Sequence, residues 1–205
     1  LQGDMTNSGQ IAADQNVVVT AENIHNVMGS IEGRDVRLYA DVDINHLGGR
    51  IAAADRLKLQ AGRDLNVQST TQTTQTALSE SEAVRGNRFT RTQIDRVAEV
   101  YVRGSDTAEG TTSANTTAAD NTLNLTAGRN LTLAAAQIQN TTAGTTTITA
   151  GEHLQLTTVT TSQNDNAVKD ANNHSHIAHR EDVGTQITTT GALELTAAQD
   201  LSLRS

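Results

Sequence analysis

The stretch L-T-A-G-R-N-L-T-L, from Leu125 to Leu133, decides how the whole chain is read. Nearly the same words stand at Leu59–Val67 (L-Q-A-G-R-D-L-N-V), Ile148–Leu156 (I-T-A-G-E-H-L-Q-L) and Leu195–Leu203 (L-T-A-A-Q-D-L-S-L). Four copies of one nine-residue phrase in 205 residues mark a repeated structural unit rather than the single core of an enzyme domain. Aliphatic residues fill its first, seventh and ninth positions. Leu131 and Leu133 are two apart, so on a strand both point to the same face. The A-G-R-D/N between the aliphatics is turn chemistry. Gly62, Gly128 and Gly151 admit positive φ, and Asp64 or Asn130 can bond a nearby backbone amide. In the fourth copy Ala198 replaces the glycine, which argues that positive φ is not required at that position.

A longer period lies over the phrase. Gly9-Gln10-Ile11, Gly29-Ser30-Ile31 and Gly49-Arg50-Ile51 recur every 20 residues. Each isoleucine is followed by an aliphatic pair: Val17/Val19, Val36/Leu38 and Leu57/Leu59. A further pair, Ile24/Val27 and Ile44/Leu47, precedes the next glycine. Each unit thus offers three short strands separated by turns. Helical repeats need longer runs at 3.6 spacing, and these segments are too short and too rich in Thr and Val. The reading is an all-β, right-handed parallel β-helix, whose coils stack about 4.8 Å apart with aliphatic columns inside. Residues 1–205 form one such segment. The expected core residues are Ile11, Ile31, Ile51, Leu57, Leu65, Leu123, Leu131, Ile148, Leu154, Leu193 and Leu201.

Composition fits a narrow core. Aromatic residues are 1% of the chain, tryptophan and proline are absent, and continuous backbone pairing tolerates no proline. Without cysteine there is neither a disulfide nor a thiolate site. The net charge of −8 argues against nucleic acid as the main partner, because that binding rests on neutralising phosphates. No stretch approaches the length of a membrane span. The chain begins mid-pattern at Leu1, as a piece of a longer protein would.

Twice the rhythm breaks, in the same phase of the phrase. After Val67 comes Q-S-T-T-Q-T-T-Q-T, with the aliphatic rhythm returning at Ile94; after Leu156 comes T-T-V-T-T-S-Q-N-D-N, returning near Val183–Ile187. Alternating threonines after a coil strand predict that the strand runs on outward. Two extruded β-hairpin arms are therefore expected, at residues 68–93 and 157–184, leaving from one corner. Their turns are placed at Gly86-Asn87 and Ala171–Asn173. Two coils between their bases put the arms roughly 10 Å apart, close enough to lie side by side as a small extra sheet.

These phrases resemble the haemagglutinin repeats of filamentous-haemagglutinin-type exoproteins of Gram-negative two-partner secretion systems, a family that includes adhesins and the CdiA-type proteins of contact-dependent growth inhibition. The matching words are A-G-R-D-L at Ala61–Leu65, A-G-R-N-L at Ala127–Leu131, I-D-R-V-A-E-V-Y-V at Ile94–Val102 and D-A-N-N-H at Asp170–His174, with the Thr/Gln run after Val67. The resemblance covers essentially the whole chain. It implies the shaft of a secreted filament, exported through an outer-membrane partner transporter and displayed outside a Gram-negative cell. The I-D-R-V-A word is most similar to the later repeat block of CdiA-type proteins, which implies a part in passing a C-terminal toxin into a target cell.

Candidate chemistry is sparse. His174, His176 and His179 form the one metal-like cluster, but structural zinc wants four ligands and cysteine is missing. Asp64, Asn130 and Asp200 recur at one position of the phrase, yet His153 interrupts the series, and turn capping explains it better than calcium. Arg85, Arg88, Arg91, Arg96 and Arg103 are interleaved with Glu80, Glu82, Asp95 and Glu99, the pattern of a solvated face. Some parallel β-helices cleave polysaccharides, but such sites need converging carboxylates and aromatic platforms, which this sequence does not offer. No catalytic residue, cofactor or metal is therefore expected. The residues singled out for contact with a target-cell surface or envelope are Arg85, Arg88, Arg91, His174 and His176.

Overall fold

Each repeat winds once around an axis and lays its strands on those of the coil before it. The computed structural model describes residues 3–76, 86–104, 121–170 and 172–204. The first face of every coil is a short strand: β1 (Met5–Asn7), β4 (Ile24–Val27), β6 (Ile44–Leu47), β8 (Leu65–Gln68), β13 (Leu131–Ala134), β16 (His153–Thr157) and β21 (Asp200–Leu203). They pair in that order into one parallel sheet. The other two faces form a second parallel sheet. It begins with β2 (Gln10–Ala12) and β3 (Asn16–Ala21). β5 (Ser30–Ala40) and β7 (Gly49–Ala61) then run through both faces. Pairs follow: β11 (Ala98–Val102) with β12 (Leu123–Ala127), β14 (Gln137–Asn140) with β15 (Thr146–Ala150), and β19 (Gln186–Thr189) with β20 (Leu193–Ala197). This is a parallel β-helix.

In a parallel ladder without slips, equivalent residues stack. Ile31, Ile51, Val100 and Ile138 form one inward column, Val36, Leu57 and Leu123 a second, and Leu38, Leu59, Leu125 and Ile148 a third. Ile44, Leu65, Leu131 and Leu154 form another along the first sheet. All of these are buried. Ile11, on the first coil, is only half-buried.

Leu193 and Leu201 depart from the expected core. They stack in register on Thr146 and Leu154, but remain 41% and 47% exposed because no coil lies over them. Leu203 beside them is 62% exposed. An uncovered apolar column next to open strand edges favours self-association. Sedimentation of this chain should show concentration-dependent association that Leu203→Asp relieves.

The aliphatic pairs Ile24/Val27 and Ile44/Leu47 also need correction. Residues three apart on a strand face opposite ways, and the inward partners are Asn26 and His46. Asn7, Asn26 and His46 stack as a buried polar column, which continues as Val67, Leu133, Leu156 and Leu203. Asn7 Nδ2 donates to Asn26 Oδ1 at 2.7 Å, and Asn26 Nδ2 donates to the Gly29 carbonyl and to His46 Nδ1, each at 3.0 Å. His46 Nε2 lies 3.2 Å from the Glu99 carbonyl. The ring accepts at one nitrogen and donates at the other, which is the neutral form.

Burial lowers the His46 pKa to about 4. The unfolded chain takes up this proton near pH 6.5 and the folded chain does not. The contribution is therefore complete above about 6.5 and is lost as pH falls toward 4, amounting to about 3 kcal/mol. Urea melts at pH 7 and pH 4.5 should show this loss, and His46→Gln should show much less of it.

The three corners differ in chemistry. Before each strand of the first sheet runs a ladder of Asp and Asn side chains. Asp4 accepts from Asn23, the Asn23 amide oxygen accepts from the Asp43 backbone N–H, and Asp43 accepts from that of Asp64. Asp64 in turn accepts from the backbone and side chain of Asn130, at 3.1 and 3.0 Å. Arg63 clamps Asp43 and Arg129 clamps Asp64. The Arg129 guanidinium holds the Asp64 carboxyl below its usual range, so this contribution fades only under acid stronger than the carboxylate value. His153 and Asp200 finish the ladder 3.0 Å apart. The recurring acids cap successive turns.

At the same corner Gly62, Gly128 and Gly151 stack, none with positive φ. A Cβ on Gly128 would be driven into the Gly62 carbonyl oxygen, and one on Gly151 into that of Gly128. Close approach of successive coils, not left-handed backbone, demands glycine here.

Candidate functional site

The corner after the first face is where the coil is interrupted. In three of the coils that pass straight through it, left-handed backbone makes the turn: Met28 at φ 58°, Gly48 at 60° and Ala135 at 49°. In the fourth and sixth coils a hairpin leaves instead. β9 (Thr70–Gln75) and β10 (Gly86–Arg96) follow β8, while β17 (Val159–Asp170) and β18 (Asn173–Val183) follow β16. Both pairs are antiparallel, and β10 also pairs with β17, from Gly86↔Val168 to Thr92↔Ser162. The result is one four-stranded sheet in the order β18-β17-β10-β9, hydrogen-bonded separately from the two coil sheets. Gly86 and Asn87 lie within β10 rather than at a turn, so the first connection falls in residues 77–85, outside the described residues. In the second hairpin Asp170 pairs with Asn173; the turn expected at Ala171–Asn173 includes Ala171, which lies outside the described residues.

A hydroxyl seats each hairpin base on the intervening coil. Ser69, buried, donates through Oγ to the Ala135 carbonyl at 2.6 Å and accepts from the Ala98 N–H at 3.0 Å. Thr185 donates to the Leu133 carbonyl at 2.8 Å and accepts from the Ala136 N–H. Both bases therefore grip Leu133–Ala136, one coil from each. Removing β9 and β10 would strip β17 of one ladder while leaving the coils intact. Amide exchange across Val159–Val183 should then quicken, with the coil strands still protected.

Alternation sorts the sheet into two faces. Arg88, Asn166 and His176 share a row across β10, β17 and β18, and His176 Nδ1 lies 2.6 Å from Asn166 Oδ1. His174 and Arg180 fall on the same face, with Asp182 bonded to Thr160. Arg91 and His179 share a row on the opposite face, through Gln163. The residues singled out for contact are thus divided. Arg88, His174 and His176 come together, Arg91 does not join them, and Arg85 lies outside the described residues. Arg180 was overlooked, although its even spacing from His174 and His176 places it on their face.

A second polar feature lies on the shaft. A shallow groove on the outer face of β11 is lined by Arg50, Glu99, Tyr101, Arg103, Gln137 and Gln139. The Arg50 and Arg103 guanidinium carbons stand 5.7 and 5.9 Å from the Tyr101 ring centre, a cation–π pair. These residues come from three coils, and only the pairing of β11 with β7 and β14 brings them together. β7 pairs with β11 and then with β12, and Gly104, just after β11, has φ 81°. Residues 105–120 lie outside the described residues. Among the described residues no group of three or more His, Asp or Glu side chains is placed to hold a metal.

A parallel solenoid with hairpins set on one corner defines a repeat-built protein. Residues 2–176 match the family model for the hemagglutinin repeat, and the chain belongs to that family. The family is one of structural and adhesin-type segments of secreted or cell-surface proteins, in general substrates of two-partner secretion. No curated protein and no solved structure matches the chain.

Proposed function

We propose that this segment is rigid shaft in a large secreted filament of the CdiA-type contact-dependent growth inhibition family, displayed on the outer surface of a Gram-negative bacterium. The shaft comprises the coils of residues 1–205, with arms at 68–93 and 157–184, and it holds a distal effector at a distance from the cell. The supporting observation is the unbroken first sheet. Seven parallel strands pass through the fourth and sixth coils without a change of register, although each of those coils carries a hairpin. Stiffness is kept while decoration is added. Export of the parent through an outer-membrane partner transporter and delivery of a toxin into a target cell follow from the family resemblance.

A second reading, an adhesin segment, draws on the sheet face that gathers Arg88, His174, His176 and Arg180. Competition co-culture separates the two. A strain displaying the parent filament without residues 70–96 and 159–183 should still bind and inhibit a sensitive target if the segment is shaft. Loss of target binding with display intact would favour the adhesin. A parent that binds targets without inhibiting them would overturn the toxin-delivery reading.

A further inference from the structure

The four-stranded sheet has two edges, and they are unlike. β9 is six residues long, all Thr and Gln. β18 is eleven residues long, exposed from Asn173 to Asp182, and reads N-H-S-H-I-A-H-R-E-D-V. It contains neither lysine nor proline, two residues that usually blunt an edge. At its middle stands Ile177, 59% exposed. His174 and His176 precede Ile177, and after His179 and Arg180 the strand ends on the acidic Glu181 and Asp182. A strand with opposite chemistry at its two ends complements itself when a copy runs antiparallel beside it.

We infer that β18 is a lateral interface on which a second copy of this chain docks, edge to edge, around a two-fold axis through Ala178. A two-fold perpendicular to the sheet keeps residues of like parity opposite each other, so the register centres on a residue rather than between two. With Ala178 on the axis, His174 lies opposite Asp182 of the second copy, and Ser175 opposite its Glu181. Each of these pairs occurs twice. The two Ile177 side chains become diagonal neighbours within reach of each other and cover the exposed apolar spot. His176 and Arg180 face each other across the axis. Each is already engaged by its own sheet, His176 with Asn166 at 2.6 Å and Arg180 with Thr160 at 3.4 Å. The joined sheets would hold two shafts side by side through eight antiparallel strands. This pairing is distinct from the end-to-end contact offered by Leu201 and Leu203, and it does not depend on which effector the parent carries.

The chain has no cysteine, so single cysteines report the pairing cleanly. Strand partners lie about 4.5–5.5 Å apart at Cα, within disulfide reach. Under mild oxidation Ala178→Cys should cross-link to itself. His174→Cys and Asp182→Cys should each stay monomeric alone and form a mixed dimer when combined. Thr73→Cys, on the other edge, should not cross-link. In sedimentation, Ile177→Lys should weaken lateral pairing roughly tenfold or more, since tenfold corresponds to about 1.4 kcal/mol, less than burying one large aliphatic side chain. Because Ile177 is exposed in the single chain, the fold should survive the change. The inference is overturned if the mixed pair fails to cross-link, if Thr73→Cys links as readily, or if Leu203→Asp abolishes all association while Ile177→Lys leaves it intact.

Discussion

Leu131→Asp should collapse the middle of the shaft, while Thr132→Asp should scarcely register. The two are neighbours on β13 and differ only in the direction they face. Leu131 is fully buried, stacked between Leu65 and Leu154, whereas Thr132 lies on the outer face between Asn66 and Gln155. The first change loses a large aliphatic side chain and puts an unpaired carboxylate in its place, a cost of about 5 kcal/mol or more. That rivals the whole stability of many domains. The second stays within about 0.5 kcal/mol, as most surface substitutions do, because half-buried Thr132 faces outward among polar neighbours. Along the first sheet each strand pairs only with its neighbours, so the loss should appear first as rapid amide exchange in β8, β13 and β16. Equal denaturant midpoints for the two variants would refute the assigned strand phase.

Gly128→Ala should cost about 2–3 kcal/mol, a large penalty for one methyl group. The new Cβ meets backbone, the carbonyl of Gly62, which has no rotamer to turn away. The coil must lift, stretching the bond from the Gly128 N–H to the Ala61 carbonyl, now 3.0 Å. Gly9→Ala is the matched control, because a Cβ there meets nothing within 4 Å. The protein already contains the tolerated version. Ala198 occupies the same place in the uncovered last coil, and its N–H reaches the Ala150 carbonyl at 3.2 Å, longer than the 2.9–3.0 Å of the three glycine coils and close to the 3.1 Å at Asp41, which also carries a Cβ. Ala198 has no coil over it, whereas Gly128 is held between Gly62 below and Gly151 above. Chemical denaturation of both variants measures the difference.

The strands and most of their phase were legible because stacking forces the same residue types to recur at the same offsets. What escaped the sequence reading escaped for separate physical reasons. Ile44 and Leu47 were grouped as a pair because both are aliphatic, although strict alternation places His46, not Leu47, inside with Ile44. Applying the spacing of Leu131 and Leu133 to that strand would have found it. The glycines of the phrase were credited with positive φ when the constraint is carbonyl approach from the next coil, a tertiary contact that no local pattern expresses. Left-handed backbone occurs instead at Met28 and Ala135, residue types that give no warning. The first hairpin turn was drawn to Gly86-Asn87 by composition, but β10 needs those residues to pair with β17. Of the residues singled out for contact, alternation placed His174 and His176 together. Bringing Arg88 to them required the pairing of two hairpins some 80 residues apart, a register that single-strand patterns leave open.

The shared grip of the two hairpins on Leu133–Ala136 has a mechanical consequence. Tension along the axis acts in the direction in which the coils are joined by backbone ladders. Under such tension a solenoid peels from an end, each coil letting go when its own bonds fail. Here the fourth and sixth coils are joined twice, once through the fifth coil and once through the seven residue pairs of β10 and β17. The load divides between these two paths, and the fifth coil cannot open until the outer one has parted. The hairpins thus work as a rivet, placed across the stretch where inserted chain would otherwise have left the shaft easiest to tear.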